Sequence, residues 1–143
     1  MTLSYVHLPA GSQPPAIGEV EPFKAVLVLQ QAVANDWQDQ VSEWLVRSGC
    51  LYMMAWGVEC SSWDDSVDWA NHIVTGLDDV PDDQFVMTTW HDDEPLAEVF
   101  WYAGFTAHHP MVSLEHVAII DIGPTNREVE MLEAYAAAQT LVE

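Results

Sequence analysis

The run His91–Glu94, with the sequence His-Asp-Asp-Glu, places an imidazole beside three carboxylates. Hard divalent cations prefer carboxylate oxygens, and an imidazole can act as a general acid or base near neutral pH. Asp121, at the end of a later apolar segment, adds a fourth carboxylate. If these groups meet, the predicted catalytic residues are His91, Asp92 and Asp121. The predicted metal ligands are Asp92, Asp93 and Asp121.

The same run also has the composition of an ordinary helix start. Acidic side chains in a first helical turn complement the helix dipole and accept hydrogen bonds from free backbone N–H groups. Pro95 suits that turn, because its missing N–H would have no helical partner there. The sequence therefore leaves two interpretations open, a catalytic cluster and a capped helix.

Cys60 is a second candidate for chemistry, because it lies just before a predicted helix and a helix N-terminus favours a thiolate nucleophile. His91 would then serve as its base. Neighbouring carboxylates, beginning with Glu59, oppose this chemistry, since nearby negative charge disfavours a thiolate. Cys50 is predicted to be a buried packing residue. Two cysteines form neither a disulfide framework nor a paired zinc motif, which indicates a reducing compartment.

The first predicted strand is followed by Gln30–Asn35 and not by a Gly-rich loop, and no Lys or Arg stands at a predicted strand end. Phosphate groups are usually bound by such loops and by basic residues. The sequence therefore predicts neither a nucleotide cofactor nor direct binding of nucleic acid, whose affinity depends on basic side chains.

The charge balance narrows the possible partners. The chain has 143 residues and carries 23 Asp and Glu against 3 Lys and Arg, a formal net charge of −20. Such a field repels phosphate backbones and anionic lipid surfaces, and it attracts metal cations and basic protein faces. Seven Trp, four Tyr and four Phe distinguish the chain from a disordered acidic tail, so the acidity must cover a folded body.

Four apolar segments alternate with four helical patterns along the chain. The predicted strands are 23–29, 51–56, 84–90 and 116–121. Alternation without tight hairpin signals predicts an α/β fold, a three-layer sandwich whose mainly parallel four-stranded sheet is flanked by helices. The predicted strand order is 2-1-3-4.

With that order, the first and third predicted strands flank the crevice in which open α/β sheets bind ligands. Residues that follow the strands are delivered to this edge. They are Gln30, Gln31, Glu59, Cys60, Trp90, His91, Asp92, Asp93 and Asp121.

The chain is predicted to form a single α/β domain over residues 22–143, preceded by a Pro/Gly-rich arm over residues 1–21. No segment approaches the roughly 20 apolar residues that a membrane span needs, and the start of the chain lacks a basic secretion signal. These features predict a cytoplasmic protein without membrane contact.

The tryptophans divide into two predicted groups. Trp37, Trp44, Trp63 and Trp101 lie on apolar stripes typical of a core. Three others, Trp56, Trp69 and Trp90, are predicted to reach the surface. Exposed aromatic side chains surrounded by carboxylates are typical of a face that binds a basic partner.

The segment Phe85–Trp101, with the sequence FVMTTWHDDEPLAEVFW, and the later run Ala118–Ile122 resemble a small family of bacterial proteins classed as a domain of unknown function. The resemblance covers most of the chain beyond the arm. It implies a bacterial cytoplasmic origin, and it brings no established activity or site residues.

Two hypotheses of function follow, and the balance favours a role other than catalysis. The leading one is an acidic protein-interaction or regulatory module of the inhibitor or immunity type, which binds a basic partner and needs no cofactor. The alternative is a small hydrolase that depends on a divalent cation, with its site at the carboxyl ends of the first and third predicted strands. A structural subunit that forms homo-oligomers is a third possibility.

Overall fold

The computed structural model describes residues 2–141. Met1, Val142 and Glu143, at the outer ends of the predicted arm and domain, lie outside the described residues. The strands are β1 (Thr2–Leu8), β2 (Phe23–Leu29), β3 (Cys50–Gly57), β4 (Met87–His91) and β5 (His116–Ile122). The helices are α1 (Asn35–Arg47), α2 (Ser62–Thr75), α3 (Leu96–Phe105) and α4 (Glu128–Ala138), with a short 3-10 turn at Asp82–Gln84.

The five strands form one parallel sheet in the order β1-β5-β2-β3-β4. Because successive side chains of a strand point to opposite faces, the apolar strands supply two cores. One core joins the sheet to α1 and α2, and the other joins the opposite face to α3 and α4. The predicted α/β fold, with a mainly parallel sheet between helices, is confirmed.

Two details of the predicted sheet are wrong. The structure has five strands and not four, because Thr2–Leu8, within the predicted arm, forms β1 beside β5. The order also differs from 2-1-3-4, since β4 pairs with β3 while β5 takes the place beside β2.

Burial along the strands explains the observed order. The six residues Val117–Ile122 of β5 are all buried, whereas β4 is short and only its last residue, His91, is buried. A strand that is covered on both faces must be central, and a short, partly exposed strand suits an edge. In β1 only Leu8 is buried. This strand forms the opposite edge of the sheet, and its sequence therefore lacks the apolar pattern of a central strand.

Lys24 shows how completely β2 is enclosed. All seven residues of this strand are buried, and the ammonium of Lys24 donates hydrogen bonds to the carbonyl oxygens of Ala103 (2.6 Å) and Ala107 (2.9 Å). These carbonyls lie at the end of α3, where helix geometry leaves acceptors without partners and favours a cation. Burial lowers the pKa of Lys24. The charged ammonium nevertheless stabilises the end of α3 through these two hydrogen bonds.

The rest of the predicted arm, residues 9–21, lies against α1. The indole N–H of Trp37 donates to the carbonyl of Ser12, and that of Trp44 donates to the carbonyl of Pro15, each at 2.8 Å. Ile17 packs on the core beneath. This segment is therefore held by tryptophans of α1.

In the part of the chain that the structure describes, every helix lacks the length and apolar character needed to cross a lipid bilayer.

Candidate functional site

The strand order moves the ligand crevice to the carboxyl ends of β2 and β5. The chain runs outward from β2 through β3 to β4 and then returns to the other side of β2 as β5. Open α/β sheets bind ligands where the order reverses in this way. The third predicted strand, β4, is not a neighbour of β2, so the crevice differs from the predicted one.

Asp121 lies at this reversal point, fully buried near the end of β5. Arg127 donates from Nη2 to Oδ1 (2.9 Å) and from Nε to Oδ2 (3.2 Å). Gln30 donates from Nε2 to Oδ1 (2.8 Å), and the Tyr5 hydroxyl donates to Oδ2 (2.6 Å). Each carboxylate oxygen therefore accepts two hydrogen bonds from the protein.

The electrostatics of this network favour its charged form. Burial raises the pKa of Asp121, but hydrogen bonds from Arg127, Tyr5 and Gln30 outweigh burial and hold the pKa below its usual range. The bond to Asp121 raises the pKa of Arg127. Burial, together with the bond to Asp121, raises the pKa of Tyr5 to about 12. At neutral pH the network is thus an ion pair held by a neutral phenol and an amide.

Gly123 makes room for this arrangement. A Cβ at this position would lie 2.5 Å from Cδ of Gln30, which is closer than two carbon atoms can approach without displacing one of them. His7 contacts the carbonyl oxygen of Gly123 through Nε2 at 2.8 Å. The small residue after β5 therefore allows Gln30 to reach Asp121.

A cleft of about 530 Å³ opens beside the network. We call it the strand-end cleft. Its lining combines apolar groups with three charged side chains. The lining residues are Leu29, Gln30, Trp56, Gly57, Val58, Asp92, Glu94 and Arg127. The indole N–H of Trp56 donates to the carbonyl oxygen of Glu94 at 2.7 Å, which ties the end of β3 to the loop after β4.

The predicted catalytic residues are only partly brought together. Asp92 lines the strand-end cleft, while Asp121 lies behind Arg127. His91 is buried, with Nδ1 2.7 Å from Oε2 of Glu94 and Nε2 2.9 Å from Oγ1 of Thr89. Both imidazole nitrogens therefore have protein partners.

The predicted metal ligands do not form one set. A metal site needs at least three acidic, cysteine or histidine side chains whose ligand atoms lie close together. Within residues 2–141 one such group occurs, with its ligand atoms within 4.8 Å of one another. It consists of Asp64, Asp65 and Asp68 on α2. The candidate thiol is also apart from its base. Cys60 is buried in the core under α1 and α2, whereas His91 contacts the Tyr102 ring of α3 on the other face.

The aspartate cluster on α2 is repulsive at neutral pH. Burial raises the pKa of Asp68, and the charges of Asp64 and Asp65 raise it further. A carboxyl whose pKa is raised by folding lowers stability at pH values above both its folded and its unfolded pKa.

We expect Asp68→Asn to increase the free energy of unfolding at pH 7 by about 0.5 kcal/mol, because it removes one of three adjacent charges. The gain should disappear as the pH falls through the raised pKa of Asp68 toward the unfolded value, since wild-type Asp68 is then protonated too. Urea denaturation at several pH values measures it. Asp39→Asn, which removes an exposed charge from α1, is the control. Destabilisation by Asp68→Asn, or an equal gain in the control, would contradict this account.

The outer face of α2 carries an exposed apolar stripe. Trp69 is 65% exposed, and Ile73 and Leu77, four and eight residues later, are 44% and 45% exposed. This spacing places them along one side of the helix and its end. Together with His72, Gly76 and Asp78 they line a shallow cavity of about 380 Å³. We call Trp69, Ile73 and Leu77 the α2 stripe.

Carboxylates border the α2 stripe at both ends. Asp65 precedes Trp69 by one helical turn and is exposed, and Asp68 is half-buried beside it. Asp78 and Asp79, also exposed, follow Leu77. The stripe is therefore an apolar row within an acidic surface.

A family model of a domain of unknown function, DUF7684, matches residues 3–138. The chain belongs to DUF7684. The match takes in all four helices and nearly all of the sheet, so the resemblance around residues 85–101 is confirmed. No curated protein and no solved structure matches the chain significantly.

The three tryptophans predicted at the surface of this DUF7684 domain do not form one face. Trp90 is 47% exposed and pairs in register with Ala55, which faces the core under α1 and α2. Trp56 is half-buried and packs on the core at the opposite face of the sheet. Trp69 lies on the outer side of α2, which packs on the same face of the sheet as Trp90, so Trp56 is separated from the other two by the sheet.

Among the residues that the structure describes, most carboxylates of the DUF7684 domain have no cationic partner. Between side chains of residues 2–141 there are two ion pairs, Arg127 with Asp121 and His91 with Glu94, and the second requires a protonated imidazole. Lys24 is enclosed under α3, and Arg47 is exposed at the end of α1. The negative charge of the surface is therefore largely uncompensated.

Sequence reasoning missed Arg127 and Tyr5. Arg127 follows β5 and reaches a strand end, contrary to the prediction that no basic residue stands there. The available signal was an Asp at the end of an apolar strand followed six residues later by one of only three basic side chains. Tyr5 gives no such signal, because it belongs to the strand hidden in the predicted arm.

Proposed function

We propose that this DUF7684 domain is an acidic protein-interaction module that binds a basic partner through the α2 stripe. The partner presents apolar side chains to Trp69, Ile73 and Leu77, and places Lys or Arg opposite the carboxylates around them. Binding of this kind regulates or neutralises the partner, and it requires no cofactor.

The observation that carries the proposal is the α2 stripe within uncompensated negative charge. Tryptophan is enriched among the residues that dominate interface energetics, and a Trp ring buries a large area at low cost in conformational entropy. The exposed indole of Trp69 also offers a π face to a Lys or Arg of the partner. The stripe thus supplies the apolar centre of an interface.

The charge distribution supplies the rim and the selectivity. Asp65, Asp78 and Asp79 are exposed near the stripe, and no Lys or Arg lies among residues 48–126. Complementary charges at an interface rim raise association rates and discriminate against partners of the wrong sign. A basic partner is therefore favoured over a neutral or acidic one.

The geometry supports this binding role better than the cation-dependent hydrolase. Both oxygens of Asp121 accept hydrogen bonds from protein donors, and Asp92 and Asp93 do not form a ligand set with it. His91 is buried with both nitrogens engaged. A hydrolase would need these groups to be open to substrate.

Affinity capture from the native host, followed by binding measurements with the purified partner, tests the proposal. We expect a partner with a net positive surface, and we expect Trp69→Ala to weaken its binding by at least about 30-fold, as for a central interface residue. Isothermal titration calorimetry with the purified pair measures this loss.

Phe105→Ala is the matched control, because Phe105 is a comparably exposed aromatic residue on α3, at the other face of the sheet. It should leave the affinity unchanged. Equal effects of the two substitutions, or a partner with an acidic surface, would contradict the proposal.

A further inference from the structure

The strand-end cleft contains a guanidinium group whose position is fixed by a buried carboxylate. Of the three Lys and Arg of the chain, only Arg127 lines this cleft. Its Nε and Nη2 bind Asp121, which Tyr5 and Gln30 hold in turn. Among residues 2–141 no acceptor contacts Nη1. One edge of the guanidinium is therefore available to an anionic group of a ligand, in a position that binding need not organise.

The same cleft contains unneutralised negative charge. Asp92 is exposed and has no hydrogen-bond partner within residues 2–141, and Glu94 shares one oxygen with His91. Both residues line the cleft together with Arg127. A cationic group of a ligand therefore has acceptors near the position where an anionic group meets Arg127.

The cleft also has apolar lining residues. The half-buried indole of Trp56, the exposed Val58 and the strand end at Leu29 contribute to it. The Trp56 ring is oriented by its hydrogen bond to the backbone of Glu94. Rigid aromatic and aliphatic surface beside a few fixed polar groups is the usual composition of a small-molecule site.

We propose that the strand-end cleft binds a small zwitterion of the amino-acid type, either a free amino acid with an apolar side chain or a short peptide. Its carboxylate pairs with Nη1 of Arg127. Its ammonium lies at Asp92 and Glu94, and its apolar side chain packs on Trp56.

Charge decides between the zwitterion and simpler ligands. A net anion, such as a phosphate or an acyl carboxylate, is repelled by the charge of −20 and by Asp92 and Glu94. A simple cation would pair with Asp92 and Glu94 but would offer no acceptor to Nη1 of Arg127. A zwitterion has no net charge to be repelled. Its carboxylate suits Arg127, and its ammonium suits Asp92 and Glu94.

The cleft has the size for such a ligand. Its volume of about 530 Å³ lies in the range of small-molecule sites, roughly 300–1,000 Å³. It also lies at the reversal of strand order, where ligands of open α/β sheets bind. This inference does not depend on the α2 stripe, which is on another surface.

Titration with L-leucine and glycyl-L-leucine tests the inference. We expect both probes to shift the indole N–H resonance of Trp56, identified by its loss in Trp56→Phe, and to give one-site binding by calorimetry at millimolar concentrations. N-acetyl-L-leucine lacks the ammonium and L-leucinamide lacks the carboxylate. Each should bind at least about tenfold more weakly than L-leucine, as the loss of one partly desolvated charge pair requires.

Variants locate the site. Asp92→Asn should weaken the binding of L-leucine about two- to fivefold, while Asp93→Asn, the adjacent exposed residue that does not line the cleft, should have no effect. Arg127→Gln should abolish binding. If Arg127→Gln does not fold, Asp92→Asn still tests the site, because Asp92 is exposed and does not belong to the buried network. The inference is overturned if neither probe shifts Trp56, if L-leucinamide binds as tightly as L-leucine, or if the two aspartate variants behave alike.

Discussion

Replacing Asp121 with Asn is expected to lower the free energy of unfolding by about 3 kcal/mol, the lower end of the range for breaking a buried ion pair. Asp121 is fully buried and accepts hydrogen bonds from Arg127, Gln30 and Tyr5. An Asn amide turns N–H donors toward donors and removes the carboxylate to which the guanidinium is hydrogen-bonded. Arg127 is partly exposed, so water offsets some of the loss.

The same substitution should change the acid sensitivity of the protein. The pKa of Asp121 in the folded protein lies below its usual value of 3.8. The stabilisation that ionised Asp121 gives to the fold is therefore fully present above pH 3.8, and it is lost as the pH falls through the folded pKa. The stability gap between wild type and Asp121→Asn should therefore be constant above about pH 5 and narrow in stronger acid.

Urea denaturation at several pH values measures both effects. Asp93→Asn, which removes an exposed carboxylate, should change stability by no more than about 0.5 kcal/mol. A loss below about 1 kcal/mol in Asp121→Asn, or a gap that persists unchanged into strong acid, would show that the network does not stabilise the fold.

Replacing Gly57 with Ala is expected to lower the free energy of unfolding by about 2–5 kcal/mol, from two sources. Gly57 has φ of 111°, a backbone conformation that L-residues rarely adopt. Its Cβ would also lie 2.2 Å from the carbonyl oxygen of Leu29. Because that oxygen belongs to a central strand, it cannot move aside, and the crowding adds about 1–3 kcal/mol to the conformational cost.

Gly76→Ala separates the two sources. Gly76 also has positive φ, at 70°, but a Cβ there would meet no atom within 4 Å. We expect this control to lose about 1–2 kcal/mol, the conformational cost alone. Urea denaturation of both variants provides the comparison, and equal losses would mean that the approach of β3 to Leu29 is not tight.

The layered architecture could be predicted from the sequence because burial leaves a strong pattern. The almost continuously apolar run in β2 and the helical periodicity of α1 predict a covered strand followed by a helix. These local patterns say which faces are buried. They predict a sandwich without specifying which strands are neighbours.

The strand order could have been improved by comparing the polarity of strands. The Thr-rich β4 has the character of an edge strand, and the mostly apolar, buried β5 has that of a central strand. β1 could not have been found in this way, because its partly exposed residues resemble a polar arm. It becomes a strand only when β5 offers its edge.

The charged network at the strand ends was only half visible in the sequence. Asp121 was placed correctly at a strand end, but its partner Arg127 lies in the loop after β5, and Tyr5 lies 116 residues away on β1. Contacts between such distant segments depend on strand order, which local patterns do not give. For the same reason a metal site was predicted where the structure contains an ion pair.

The α2 stripe was more accessible to prediction. The buried positions Trp63, Val67 and Ala70 define one side of the helix, so Trp69 had to lie elsewhere. Its neighbours Ile73 and Leu77 were not recognised, because apolar residues near a helix end are also typical of packing against the next element.

The most direct test of the interaction module is the dependence of association rate on salt, measured by stopped-flow fluorescence with the purified basic partner. The account predicts that the rate falls at least about tenfold between low and physiological ionic strength. A triple variant with Asn in place of Asp65, Asp78 and Asp79 should associate more slowly and with a shallower dependence on salt. A rate that is independent of salt, and equal in wild type and triple variant, would contradict the central claim.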